Sequence, residues 1–214
     1  MQEGLSFLLP AAVVIGFLHT LAGPDHYLPF VAMSKTGGWS TAKTMYIVIA
    51  GGLLHVFSSV VIGFIGIAAG IAVSKITLIE GFRGDIAAWL LLLFGAVYTL
   101  WAVFHLYRHQ SHSHPVVTPK ARMTYWVLFT IFVFGPCEPL IPLLMYPAAK
   151  HSYGAVALIS LVFAMVTIST MTAITFFLLK GMQWIQLPFL EKYQHVIAGL
   201  TLCLCGAGIL FAGL

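Results

Sequence analysis

Charged side chains are scarce in this sequence. Lys and Arg number 10 and Asp and Glu 6 among 214 residues, whereas hydrophobic residues make up 60%. An ordinary soluble domain has about 25% charged residues, so this class is excluded. The mean hydropathy of +1.00 predicts an integral membrane protein. The small positive excess is explained by loops that orient such a protein, and it indicates no nucleic-acid partner.

Other absences narrow the class further. The three cysteines, Cys137, Cys203 and Cys205, all fall in apolar runs, which excludes a disulfide framework for an extracellular domain. No segment alternates apolar and polar residues as a membrane β-strand does. No P-loop is present, so no nucleotide-driven step is expected. The first residues include Glu3 and no basic leader, and we expect a first span there and not a removed signal peptide.

The apolar runs are long enough for six membrane-spanning helices, since one crossing needs about 20 residues. The predicted fold class is therefore an all-α membrane protein. The predicted spans are 5–33, 44–74, 86–106, 123–147, 153–180 and 193–213.

The two halves of the chain match weakly at a shift of 112 residues. Gly23 and Pro24 then fall on Gly135 and Pro136, and at a shift of 111 Gly95 meets Gly206. Each half contains three spans, and three is odd, so the second half enters the membrane from the opposite side. This predicts two inverted repeats, 1–107 and 122–214, joined by a His-containing linker at 108–121.

Orientation follows from the basic residues of the loops, which concentrate on the cytoplasmic side. We therefore expect a multi-pass protein of the inner (plasma) membrane, with both termini outside and the linker in the cytoplasm. One side of the predicted topology receives Lys35, Lys43, Arg108, Lys120, Arg122, Lys180 and Lys192, and the other Lys75, Arg83 and Lys150.

Two carboxylates interrupt the apolar runs. Asp25 lies in "IGFLHTLAGPDHYLPF" and Glu138 in "TIFVFGPCEPLIPLLM", directly after the Gly-Pro pairs, and the other charged residues are expected at span ends or in loops. Ionisable groups at membrane depth are costly and usually mark a function. Because Pro and Gly disrupt helices, we expect the first and fourth spans to be broken and to border a buried cavity.

Metal-binding residue types surround these carboxylates. His19 and His26 flank Asp25, and Cys137 precedes Glu138. The two histidines are seven residues apart, so they would share a face of an unbroken helix, while a broken one could fold them together. Nitrogen, oxygen and sulfur ligands together favour nickel, cobalt, zinc or ferrous iron over calcium or magnesium. We expect both halves to be needed for this site.

Further histidines extend the candidate set. His55 lies mid-span beside Ser58 and Ser59, and it either lines the site or bonds a neighbouring helix. His105, His109, His112 and His114 form a tract that is either metal-collecting or a solvated linker.

The stretch "HTLAGPDH", followed by "GGLLHVFSSVV", resembles the nickel/cobalt permeases and their urease-accessory-type transmembrane relatives. That family has a His, four residues and Asp-His on an early helix, and another His near small hydroxyl residues on the next. Here five residues separate His19 from Asp25. The resemblance implies metal binding by His19, Asp25, His26 and His55.

The segment "FGPCEPLIP" resembles a Cys-and-Pro segment of the cytochrome-biogenesis thiol carriers. These belong to a wider superfamily of inverted three-plus-three proteins that includes sulfite-exporter-like permeases. Thiol carriers need a cysteine in both repeats, but here Asp25 stands where the partner of Cys137 would be. This leaves Cys137 as a possible metal ligand.

The sequence thus predicts a permease, and not an enzyme, whose substrate is a divalent transition-metal ion. The metal site would comprise His19, Asp25, His26, Cys137, Glu138 and, secondarily, His55. The expected partners are the metal and the lipid bilayer, with a homodimer or an accessory subunit as a further option. The rival hypotheses are a thiol-disulfide electron carrier using Cys137, an exporter of small anions, which would require a basic residue at depth, and a metal-loaded accessory protein or sensor.

Overall fold

The computed structural model describes residues 2–108, 127, 129–132, 134, 135, 137, 139–149, 152–184 and 188–212. Throughout these residues the regular structure is helical. The helices are α1 (Gln2–Ala22), a short 3-10 helix (Pro24–His26), α2 (Leu28–Thr36), α3 (Thr41–Ala68), α4 (Val73–Arg108), α5 (Leu140–Ala149), α6 (Tyr153–Trp184) and α7 (Pro188–Ala212).

Five of these helices are long and apolar enough to cross a membrane. Their candidate spans are Gly4–Ala22, Thr41–Gly66, Ser74–Tyr107, Tyr153–Met182 and Glu191–Ala212. They indicate a multi-pass membrane protein. The predicted fourth span, 123–147, falls largely outside the described residues, and the six-helix count and the repeat boundaries remain predictions.

The predicted break in the first span is confirmed. Helix α1 ends at Ala22, and Gly23 is extended, with φ −90° and ψ 93°. Pro24 has no N–H to continue the helix, and it begins the 3-10 turn instead. The chain regains α-helix only at Leu28. One predicted span is therefore two helices joined by a tight turn.

The third predicted span, 86–106, was placed too late in the chain. Helix α4 begins 13 residues earlier, at Val73, after a turn in which Gly70 has φ +66°. Glu80, Arg83 and Asp85 therefore lie on a helix and not in a loop. The charges obscured this start, because the ion pair that allows Glu80 and Arg83 to be buried cannot be recognised from local hydropathy.

The buried hydrophobic side chains form two clusters. One surrounds Phe30 and Met33 of α2 and includes Leu91 of α4 and Leu202 of α7. The other packs Val56 of α3 against α5 and against Phe163 of α6. The 3-10 turn lies beside α7 and α2, in the interior of the helix assembly.

Helices α4 and α7 make the most extensive contact, which depends on glycine. A Cβ added at Gly95 would lie 2.5 Å from the backbone nitrogen of Cys203, and one at Gly206 would lie 2.6 Å from the backbone nitrogen of Leu92. The two helices therefore approach backbone to backbone, each at a glycine of its own, as small residues permit in membrane helices.

Candidate metal site

Three imidazoles converge next to the break. His19 lies in the last turn of α1, His26 ends the 3-10 helix and His55 lies in the middle of α3. One ring nitrogen from each lies within 4.8 Å of the others. The ring centroids of His19 and His26 are 4.7 Å apart, and those of His26 and His55 are 5.2 Å apart. In both pairs the rings are nearly perpendicular, so the three do not form a stack.

The break determines how close His19 and His26 come. Seven residues of unbroken helix would separate their backbones by about 10 Å along the axis. In the turn, Gly23 N–H donates to the His19 carbonyl at 3.0 Å, and His26 N–H donates to the Gly23 carbonyl at 3.1 Å. These bonds fold the chain back, so that His26 faces His19. The sequence left open an unbroken helix and a folded, broken one, and the structure has the folded arrangement.

The turn also orients the His26 ring. Its Nδ1 lies 3.1 Å from the Gly23 carbonyl oxygen and 3.2 Å from Asp25 Oδ1. Both neighbours are acceptors, which assigns the proton to Nδ1 and leaves the lone pair on Nε2. A carbonyl or carboxylate on the far nitrogen is the usual companion of a metal-ligating histidine, because it fixes the tautomer and ring direction.

Several ring nitrogens at this point are buried without a hydrogen-bond partner. They are Nε2 of His19, Nε2 of His26 and both nitrogens of His55. The Phe132 carbonyl lies near the His55 ring and interacts with it weakly. An unpaired buried polar group costs about 1–3 kcal/mol, so such groups are rare and are not expected to gather at one place without a reason. Nitrogen lone pairs grouped in this way are suited to a metal ion.

The spacing also fits such an ion. Two nitrogen ligands around a tetrahedral first-row metal are about 3.3 Å apart, given metal–nitrogen bonds of about 2.0–2.1 Å. Ring nitrogens within 4.8 Å of one another therefore need to close by no more than about 1.5 Å.

A cavity of about 420 Å³ adjoins the imidazoles. Its walls come from both halves of the chain, whereas the three grouped imidazoles all come from residues 19–55. The lining comprises His19, Asp25, His26, His55, Gly81, Gly84, Asp85, Ala87, Leu91, Ile131, Phe132, Gly135, Pro139 and Ile209.

No protein-family model, curated protein or solved structure matches the chain. Conclusions about the site therefore depend on its own geometry.

The remaining predicted ligands lie in different places. Asp25 lines the cavity and contacts His26, but it contributes no oxygen to the grouped atoms. Cys137 is fully buried in the apolar cluster around α5 and is not among the cavity-lining residues described. Glu138 lies outside the described residues. His55, predicted to be a secondary ligand, is one of the three grouped imidazoles, because α3 places it next to His26. The binding roles themselves remain predictions.

The His-rich tract is described only at its start. The His105 ring stacks on Trp101 at a centroid distance of 5.3 Å, near the end of α4. His109, His112 and His114 lie outside the described residues, so metal collection by the tract remains a prediction. Nearby on α7, His195 Nδ1 forms a hydrogen bond with the Tyr98 hydroxyl at 2.8 Å.

A second buried polar group was missed by sequence reasoning. Glu80 is fully buried and forms an ion pair with Arg83 one turn later on α4. Ser59 donates to Glu80 Oε2 at 2.8 Å, and Arg83 Nη2 donates to Ser58 Oγ at 2.8 Å. The i, i+3 spacing of Glu80 and Arg83, opposite a Ser-Ser pair on the preceding helix, is the signal that could have revealed it.

This network reaches the second Gly-Pro segment. The backbone N–H of Cys137 donates to Ser59 Oγ at 3.1 Å, and Ser58 donates to the His55 carbonyl at 2.8 Å. The network therefore ties α3, which carries His55, to α4 and to the chain at Cys137. The network contacts Cys137 through its backbone N–H and not through its thiol.

Proposed function

We propose that the chain is a membrane permease for a divalent transition-metal ion of the nickel, cobalt, zinc or iron class. The observation that carries the proposal is the convergence of three imidazoles with unpartnered, buried nitrogens beside a cavity between candidate membrane helices. Imidazole suits these metals, while calcium and magnesium require oxygen ligands.

The site would bind the metal through His19, His26 and His55. Asp25 would hold His26 in position and offset the charge of the cation. Three protein ligands leave a coordination position open, as in zinc sites that exchange a water or substrate. An open position suits a site that must release its ion.

We further propose that the chain consists of two inverted three-helix repeats, six spans in all, with transport by alternating access around the site. The reciprocal packing of Gly95 against α7 and of Gly206 against α4 supports this, because the two residues correspond in the repeat alignment. From the resemblance of "HTLAGPDH" and "GGLLHVFSSVV", we propose membership of the nickel/cobalt permease and urease-accessory-type group. Both termini would face outward across the inner membrane.

Two of the three rivals have less support. A thiol carrier needs an accessible thiolate, but Cys137 is fully buried, and the three described cysteines are all free. An anion exporter needs a basic group at the site. Arg83 is buried, contrary to the expectation that no base lies at depth, but Glu80 neutralises it and it is not among the described cavity-lining residues.

Cobalt(II) binding tests the proposal, because its visible absorption reports nitrogen ligands directly. We expect the purified protein to bind one Co²⁺ per chain, and His26→Ala and His55→Ala to lose it. His195→Ala is the matched control, since it removes an imidazole of α7 that bonds to Tyr98. Equal Co²⁺ content in all four proteins would refute the proposed site. Ni²⁺, Co²⁺ and Zn²⁺ uptake into proteoliposomes, with and without His55→Ala, then separates a permease from a protein that only binds metal.

A further inference from the structure

The wall of the cavity opposite the imidazoles is one stripe of α4. Gly81, Gly84, Asp85, Ala87 and Leu91 line it, with the spacings of three and four residues that define one face of a helix. Gly81 and Gly84 have no side chains to fill the space. The apolar members, Ala87 and Leu91, are buried, whereas Asp85 is exposed. Asp85 therefore belongs both to the cavity and to the surface.

The charges of this cavity have one sign. Its described lining contains two carboxylates, Asp25 and Asp85, and no Lys or Arg. Arg83 is the nearest base in sequence to Asp85, but Glu80 and Ser58 hold its guanidinium in the network between α3 and α4. Among the described residues, the ion pairs found do not include Asp85. Among the described residues, the cavity thus presents at its exposed part a carboxylate that is not neutralised by an ion pair.

From this arrangement we propose that Asp85 is the access carboxylate of the site: it attracts the divalent cation at the surface and directs it to the imidazoles. This inference rests on the proposed function. A cleft lined by one sign of charge and bounded by low-dielectric walls focuses the field and raises the association rate of a counter-ion. Asp85 lies on a helix that contributes none of the three grouped imidazoles, so it can act on the rate of binding without being a ligand of the bound ion.

This role predicts a specific kinetic signature. Removing one charge a few ångströms from the path of a divalent ion should slow association about three- to tenfold at low ionic strength. The difference should shrink at high salt, because the Debye length falls from about 30 Å at 0.01 M to about 3 Å at 1 M. The dissociation rate and the amount of metal bound at saturation should not change.

Stopped-flow mixing with Co²⁺, on the full chain in lipid nanodiscs, tests the proposal. We expect Asp85→Asn to bind slowly at low salt, Asp85→Ser to behave the same way, and Asp85→Glu to keep most of the rate. Glu191→Gln is the matched control, because it removes an exposed carboxylate on α7 that is not among the described cavity-lining residues. Its association rate should equal that of the wild type.

Two results would overturn the inference. In one, Asp85→Asn associates as fast as Glu191→Gln at low salt; in the other, it binds less Co²⁺ at saturation, which would make Asp85 a ligand. His55→Ala in the same series keeps the two proposals separate. If His55→Ala loses Co²⁺ while Asp85→Asn matches the control, only the access role fails. If the wild type binds no Co²⁺, the proposed function fails and the access role fails with it.

Discussion

Gly23→Ala should damage the metal site while leaving the fold intact. The Gly23 backbone, at φ −90° and ψ 93°, is open to any L-residue, so alanine adds no backbone strain. The added Cβ would instead lie 2.5 Å from Nδ1 of His26 and 2.9 Å from both Cε1 of His26 and Oδ1 of Asp25. Ordinary non-bonded contacts need about 3.5 Å, so the His26 ring must move by about 1 Å.

The size of the effect follows from that displacement. Moving the ring also disturbs its contacts with the Gly23 carbonyl and Asp25. Loss of partners that orient a metal-ligating histidine typically weakens metal binding 10–100-fold. We therefore expect the Kd for Co²⁺ to rise by about 10–100-fold, or about 1.4–2.8 kcal/mol.

Competition between the protein and a chelator of known affinity measures this change. The matched control is Gly154→Ala in α6, because a Cβ there would meet no atom within 4 Å. Thermal unfolding of both variants in detergent shows whether the fold is retained. If Gly23→Ala binds Co²⁺ as tightly as Gly154→Ala, then either His26 is not a ligand or the turn does not position it, and the reasoning is refuted.

Three further predictions concern the buried network and the site. Arg83→Met alone should lower stability by about 3–5 kcal/mol, since it leaves the buried Glu80 carboxylate without its ion-pair partner. The double change Glu80→Leu with Arg83→Met should recover much of this loss in thermal unfolding. Ser59→Ala should lower the free energy of unfolding by about 1–3 kcal/mol, because it removes a hydrogen-bond partner of both Glu80 and the Cys137 N–H. Thr201→Ala is the control, because the Thr201 hydroxyl bonds within its own helix. Equal unfolding temperatures of the two variants would contradict the network. Acidification should weaken metal binding, because imidazole binds metal only when it is neutral: the Kd for Co²⁺ should rise steadily as the pH falls, and a Kd independent of pH would exclude imidazole ligands.

Local chemistry explains which parts of the site could be predicted. The Gly23-Pro24 pair favours a break, because Pro24 has no N–H to continue the helix and Gly23 tolerates a non-helical backbone, so the end of α1 was predictable. The presence of His19 and Asp25 next to the pair marked the place. The central position of His55 was less predictable. Periodicity places His55 on α3, but only the packing of α3 against the turn brings it within reach of His26.

Burial was the harder property to predict. Glu80 and Arg83 resembled loop residues because a charge in isolation cannot enter an apolar interior. Their pairing on one helix and their hydrogen bonds to two serines of another helix make burial possible. The serines are more than 20 residues away in the chain, so this pairing is not visible in the local sequence. Cys137 was predicted to be a ligand; its side chain lies in the apolar cluster around α5 and its backbone N–H bonds to Ser59, and its binding role remains a prediction.

The order of the three imidazoles along the chain has a consequence for biosynthesis. His19, His26 and His55 are all made before α4, and well before residues 131–139 and Ile209, which also line the cavity. Chains generally fold from the N-terminus as they are made. The three imidazoles can therefore meet during translation. A nascent chain that bound the proposed metal ion would then insert three coordinated imidazoles into the bilayer instead of three unsatisfied ones.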